Sequence, residues 1–153
     1  MSGSARPRAS PRRRRSRARS LELLGEGRIE EWVDLFAPDG VLEFPAPPIG
    51  FAAELRGHDA LRMQMGMFAS QMVVRFSPPT FHDTVEEDLV IAEFTSDSTL
   101  RATGTDYRQT YVSLVWFRDG KIVRYRDFWD PWALMAAAGG EQAWRQALSA
   151  VQG

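Results

Sequence analysis

Apolar and polar positions follow two rhythms along the chain, and the change falls near residue 73. Before it, apolar residues recur at helical spacing. Ile29, Trp32, Val33 and Phe36 stand at i, i+3, i+4 and i+7, which predicts an amphipathic helix closed by Ala37-Pro38-Asp39-Gly40. Val41–Phe44 reads as a short strand ended by Pro45, Pro47 and Pro48. A second helix is expected from about Gly57-His58-Asp59, with Leu61, Met65, Phe68 and Met72 in one stripe and Met63 and Met67 on another flank. A helix apolar on most sides is buried on most sides. From residue 73 the pattern is that of strands: Val73–Phe76, Phe81–Glu86, Leu89–Thr95, Tyr107–Phe117 and Ile122–Trp129 are rich in β-branched and aromatic residues. Asp130 is placed to cap a further helix with Pro131 at its first position, and Gly139-Gly140 stops it. Glu141–Val151 makes a last helix with Trp144, Leu148 and Val151 inward. Helices, then a run of antiparallel strands, then short helices describe an α+β fold with the first helices packed on one face of a curved sheet.

The most specific local signal is Arg118-Asp119-Gly120-Lys121, a two-residue hairpin turn in which Gly accepts positive φ. An unbroken ladder from that turn pairs Phe117 with Ile122 and Trp116 with Val123. One face then carries Val112, Leu114, Trp116, Val123, Tyr125, Asp127 and Trp129, an apolar and aromatic surface with a single carboxylate in it. The other carries Tyr111, Ser113, Val115, Phe117, Ile122, Arg124, Arg126 and Phe128, open to solvent or to a second subunit. A carboxylate in apolar surroundings is costly unless it is paired, hydrogen-bonded or protonated. Desolvation raises its pKa toward the range useful for proton transfer near neutrality. Asp127 is therefore the candidate general acid/base, weighed against a structural carboxylate bonded to an arginine or to backbone. Trp116, Tyr125, Trp129, Phe44 and the methionines Met63 and Met67 are candidate walls of a substrate pocket, methionine being suited to an adaptable wall.

Composition removes alternatives. At 153 residues the chain is the length of one domain. It has no cysteine, hence no disulfide, thiolate metal site or cysteine nucleophile, and only two histidines, His58 and His82. No apolar run approaches the roughly 20 residues that span a bilayer. Phosphate loops, GxSxG elbows and HExxH motifs are missing. Glu86-Glu87-Asp88 reads as a solvated turn without calcium-loop spacing. The net charge of −1 conceals a split: residues 1–20 hold eight arginines and no acid, leaving about −9 on residues 21–153. An acidic body is a poor match for a phosphate backbone, so no nucleic acid is expected on the folded domain. Residues 1–13 read as a disordered Arg/Ser-rich tail and 14–153 as a single domain, with Arg14–Leu24 available to a first helix. Leu21–Leu24 is too short for an export signal, so a cytoplasmic location is expected. An arm that recruits an acidic partner is a further reading of the tail.

Three segments carry a family resemblance: Leu35-Phe36-Ala37-Pro38-Asp39-Gly40 running into Val41-Leu42-Glu43-Phe44-Pro45, Leu55-Arg56-Gly57-His58-Asp59-Ala60-Leu61, and Tyr107-Arg108-Gln109-Thr110-Tyr111-Val112 followed by Asp119 through Pro131. Over about residues 20–140 the chain resembles the nuclear transport factor 2-like superfamily, and within it the SnoaL-like polyketide cyclases and the phenazine-biosynthesis A/B proteins. The resemblance implies a cone: a bent, mostly antiparallel sheet around N-terminal helices, open at one end to an apolar pocket. It also implies a homodimer, no metal and no cofactor. In SnoaL-like cyclases an aspartate of the last strand acts as acid/base, and Asp127 holds that place. Some relatives use a pocket histidine, which makes His82 a second catalytic candidate; His58, at a helix start, reads as a capping or surface residue. The steroid isomerases of the superfamily place a Tyr in the first helix, whereas this chain has none before Tyr107. The Asp–Arg–Asp arrangement of the superfamily's epoxide hydrolases stays open, since Arg101, Asp106 and Arg108 lie in the strand region, although no spacing supports it. The expected activity is proton transfer on a polyketide-like or aromatic intermediate, in cyclisation, isomerisation or dehydration. The alternative is a non-catalytic small-molecule-binding or dimerisation module, since fold does not settle function.

Overall fold

The Arg13 amide donates to the Ser10 hydroxyl (3.2 Å) and Pro11 fills the first turn, so a helix starts inside the arginine run. This is α1, Pro11–Gly25, in a computed structural model that describes residues 10–151, with side chains through residue 150. Pro11, Arg12 and Arg13 thus belong to a helix rather than to the expected tail, and residues 1–9 of that tail lie outside the described residues. One face of α1 is buried through Arg17, Ser20, Leu21 and Leu24.

The helix expected over Ile29–Phe36 is cut short. As α2 it spans Ile29–Val33, because the next residues join the sheet: the Ile122 amide donates to Leu35 O (2.9 Å) and Phe36 lies beside Ile122. Strand pairing outweighs helical periodicity here. Strand β1, Phe36–Glu43, therefore contains the expected stop signal, and Ala37–Gly40 becomes its irregular part, where the register shifts. The chain continues through β2 (Glu54–Arg56), a short strand that the apolar pattern does not announce, and α3 (His58–Gln71). Strands β3 (Met72–Phe76), β4 (Thr80–His82), β5 (Leu89–Leu100), β6 (Asp106–Arg118) and β7 (Lys121–Trp129) follow, then α4 (Pro131–Ala137) and α5 (Glu141–Val151). The sheet runs β2-β1-β7-β6-β5-β3 with β4 on β5; every pair is antiparallel except β1 with β7. It is strongly curved around α1–α3, an α+β cone whose core contains Trp32, Val33, Phe36, Leu61, Val115 and Ile122. No helix among the described residues is long and apolar enough to cross a membrane.

The β6–β7 turn has Asp119 at φ 51° and Gly120 at φ 76°, the two left-handed residues of a type I′ hairpin. A β-branched side chain resists that region, so Gly120→Val is expected to lower stability by about 1–3 kcal/mol. Gly120→Asn should cost clearly less, both read from urea midpoints at unchanged slope.

Beyond the turn the ladder is not unbroken. Phe117 pairs with Ile122, but Trp116 pairs with Arg124, so Val123 is an extra residue on β7. The bulge turns Tyr125, Asp127 and Trp129 to the face that holds Phe117, Val115, Ser113 and Tyr111. The strand period alone groups the correct β7 residues but sets them with Val112, Leu114 and Trp116, which the bulge leaves on the outer face. There Trp116 Nε1 donates to Glu86 (3.2 Å), and the guanidinium groups of Arg124 and Arg126 lie 5.2 and 5.4 Å from the Trp116 ring centroid. Glu43 joins both arginines, at 2.6 and 3.0 Å. Burial works against its charge, and the two cations outweigh that, holding its carboxyl below the usual range.

Candidate functional site

Three inward residues of β7, alternating with outward arginines, form one wall of a cavity of about 400 Å³ between the sheet and the helices. They are Tyr125, Asp127 and Trp129. That volume is in the range of sites that enclose small organic ligands, roughly 300–1,000 Å³. The aromatic edge contacts of Trp129 with Phe44 (5.9 Å) and Phe51 (5.8 Å) build the next wall. Leu21 and Leu24 of α1 and Met65 and Phe68 of α3 close the apolar side. At the rim, Trp144 Nε1 donates to Ile49 O (2.7 Å) and Leu148 rests against Gly50, so α5 contributes to the lining. Gly50 takes φ +76°, which other side chains resist, and a Cβ there would also meet the movable end of Leu148, Cδ1, at 2.7 Å. The side chain of Val151, expected to face inward with Trp144 and Leu148, lies outside the described residues.

Polar side chains line the cavity from two sides, Gln64 and Gln71 from α3 and phenol and carboxyl groups from the sheet. Tyr107 and Tyr111 of β6 line the cavity with Tyr125 and Asp127. The Tyr107 hydroxyl accepts from Gln109 (2.9 Å), and the Tyr111 hydroxyl lies 3.3 Å from that of Ser96. Burial raises all three phenols, Tyr107 to about 12, so they stay protonated near neutral pH and can donate. Asp127 is half-buried as a residue and lines the cavity, while its Oδ1 is sealed from solvent and has no hydrogen-bond partner. Desolvation pushes its carboxyl from an ordinary 3.8 to about 7, and the positive charge of Arg17 acts in the opposite direction. A carboxyl with that midpoint in the wall of a cavity can take or give a proton at neutral pH. Among the described residues no three metal-ligating side chains converge.

Of the residues singled out from sequence, Asp127, Tyr125, Trp129 and Phe44 meet in the cavity. Met67 reaches it while remaining half exposed at 49%. Met63 does not: it is 69% exposed, and Met65 and Met72 take the lining positions. Trp116 is removed to the outer face by the bulge described above. His82 is also outside the cavity. Its strand alternation turns it outward, where Nε2 lies 3.0 Å from Glu93 on an exposed surface. His58 begins α3 and its Nε2 lies 3.0 Å from Phe36 O, a bond that ties the helix to β1. Tyr107, Tyr111 and Arg17 were not anticipated. The two tyrosines were hidden by the bulge; Arg17 shares the helical spacing of Ser20, Leu21 and Leu24, a signal masked by the surrounding arginines.

Residues 18–125 match the SnoaL-like domain model. An uncharacterized PhzA/B-like protein of Pseudomonas aeruginosa is 40% identical over 134 residues, covering 88% of this chain and 93% of the relative. A crystal structure of a candidate isomerase from Bacillus subtilis superposes with a TM-score of 0.79 at 33% identity, covering 83% of this chain and 92% of that one. A candidate polyketide cyclase of Xanthomonas campestris pv. campestris shares the fold at TM-score 0.69 and 17% identity, covering 84% and 98%.

Proposed function

The chain belongs to the SnoaL-like domain family, and we propose that it catalyses cofactor-independent proton transfer on a neutral, polyketide-like or aromatic intermediate, with Asp127 as general acid/base. The observation that carries the reading is the Asp127 carboxyl in the cavity wall, its Oδ1 unpartnered and its midpoint near 7. As carboxylate it removes a proton from carbon beside a substrate carbonyl, leaving an enolate. The enolate attacks a second carbonyl of the same molecule in a cyclisation, is reprotonated at another carbon in an isomerisation, or expels a β-hydroxyl in a dehydration. Asp127, now the acid, returns the proton to the alkoxide, the carbon or the departing hydroxide. Nothing is oxidised, and the step balances without a co-reactant. The phenols of Tyr107, Tyr111 and Tyr125 supply donors on the side where oxygen charge develops. Among the described residues Asp127 is the only formally charged one in the lining, which favours a neutral ligand over a carboxylate. The outer sheet face, where Val112 and its ladder partner Phe128 are both exposed, supports self-association as a homodimer.

The reading is tested without the natural substrate. Nitrobenzisoxazole opens to a coloured phenolate when one ring C–H proton is removed, and its uncharged bicycle suits the cavity. The wild-type rate is expected to rise through a single ionisation near pH 7 and to be absent in Asp127→Asn. Wild-type turnover at the buffer rate, with the probe shown to bind, would leave the chain a small-molecule carrier.

A further inference from the structure

One arginine of α1 differs from its neighbours. Arg12 and Arg15 are exposed, and Arg13 and Arg14 reach Asp88 (2.8 Å) and Asp83 (3.0 Å) on the surface. Arg17 is fully buried. Its Nε donates to the Ser113 hydroxyl (3.1 Å), and its two terminal nitrogens donate to Ser20 and to the Tyr125 hydroxyl. The guanidinium lies over the rings of Phe94 (4.9 Å) and Tyr125 (4.7 Å). No carboxylate among the described residues comes within ion-pair distance of it. A buried cation bonded only to neutral acceptors is costly, and a leucine at this position would continue the apolar face of Leu21 and Leu24. The arrangement acquires a purpose from what the acceptors flank. Ser113 sits directly across the ladder from Asp127, and Tyr125 precedes it by two residues on the same strand face.

We infer that Arg17 is a positioning residue of the site: from α1 it clamps Ser113 and Tyr125 on either side of Asp127 and supplies the positive charge that allows this carboxyl to ionise in an apolar wall. The inference rests on the acid/base reading of Asp127. The other titratable groups facing that carboxyl are the phenols of Tyr125 on β7 and Tyr107 and Tyr111 on β6, and these remain neutral. Arg17 is thus the charge that acts on Asp127 from the elements packed against it, in opposition to desolvation. It lies behind the lining, acting through Tyr125 and Ser113. Without it, Asp127 would stay protonated at neutral pH and serve as an acid alone.

The test uses the full chain and two readouts, the carboxyl carbon resonance of Asp127, assigned by its loss in Asp127→Asn, and the pH profile of nitrobenzisoxazole opening. Arg17→Met is expected to raise both midpoints by at least one pH unit, a tenfold weaker acid. Arg17→Lys, which keeps the charge but not the fork, is expected to hold the midpoint within about half a unit while the plateau rate falls at least tenfold. A folded Arg17→Met chain whose Asp127 titrates at the wild-type midpoint overturns the inference. Should the methionine variant not fold, Arg17→Lys decides: an unchanged plateau rate overturns the clamp, and a lost midpoint overturns the charge. The resonance needs no turnover, so the two readings separate. If Asp127 does not titrate near neutrality in the wild type, the acid/base reading fails. If it does and Arg17→Met leaves it in place, the role of Arg17 alone fails.

Discussion

Asp127→Asn is expected to abolish about two to four orders of magnitude of proton-transfer rate and, in the same variant, to make the protein more stable at neutral and alkaline pH. The two effects have one origin. In the unfolded chain Asp127 titrates near its ordinary 3.8; in the folded chain its midpoint is about 7. Between these values the folded state holds a proton that the unfolded state has released, so stability falls as pH rises across the window. Below pH 4 both states are protonated and the penalty is absent. Above pH 7 both are ionised and the penalty is complete, on the order of 2–4 kcal/mol. An asparagine has the shape of the aspartate and no charge to desolvate. The stability difference between variant and wild type should therefore be small at pH 4, grow through pH 5 and 6, and level off above 7. Urea unfolding at matched pH values measures it. A difference that is flat across the window would mean that Asp127 meets water in the folded state, and the acid/base reading would lose its physical basis. A gain in stability accompanied by loss of function is the expected mark of a site that holds strain for chemistry.

How much of this was legible in the sequence depends on the range of the interaction involved. The β6–β7 turn is local: Asp-Gly between two apolar runs fixes two backbone conformations, and Asp119 and Gly120 adopt them. From there the strand period selects Tyr125, Asp127 and Trp129 as one face, and these three line the cavity. What the period does not carry is the extra residue at Val123, since a bulge reflects how β7 must follow both β6 and the parallel β1. One unpaired residue is enough to move Trp116 out of the site, bring Tyr111 into its lining and set Ser113 behind Asp127. The fate of Phe36 has the same cause, as its partner Ile122 is far away in sequence. Arg17 was obscured for a different reason. In a run of arginines the composition describes solvated charge, and only the depth of α1 in the cone distinguishes one position from the rest. His82 shows the converse: its alternation with Phe81 already turned it outward, and the family resemblance, not the residue pattern, had made it a candidate.

The second large effect is expected far from the carboxyl, at Trp32. This side chain is 1% exposed at the centre of the core, 4.8 Å from the ring of Phe36, and Phe36 stacks in turn on Tyr125 at 6.3 Å and 14°. Trp32→Ala removes the largest buried side chain of the cone and leaves a void that α2, a single short helix held between α1 and α3, cannot collapse to fill. The expected loss is about 3–5 kcal/mol, against a total stability of roughly 5–15 kcal/mol for a domain of this kind. Trp32→Phe should recover most of it, because the indole Nε1 has no hydrogen-bond partner to lose. The consequence for the site follows from the stack. With Phe36 free to tilt into the void, Tyr125 loses the ring that backs it, and its hydroxyl no longer meets the Arg17 guanidinium at a fixed position. Trp32→Ala, where it folds, should therefore lower the plateau rate of the proton-transfer probe, while Trp32→Phe restores it together with stability. Recovery of stability without recovery of rate would show that the core and the wall are mechanically separate, and that the order of Phe36 and Tyr125 is set by the sheet alone.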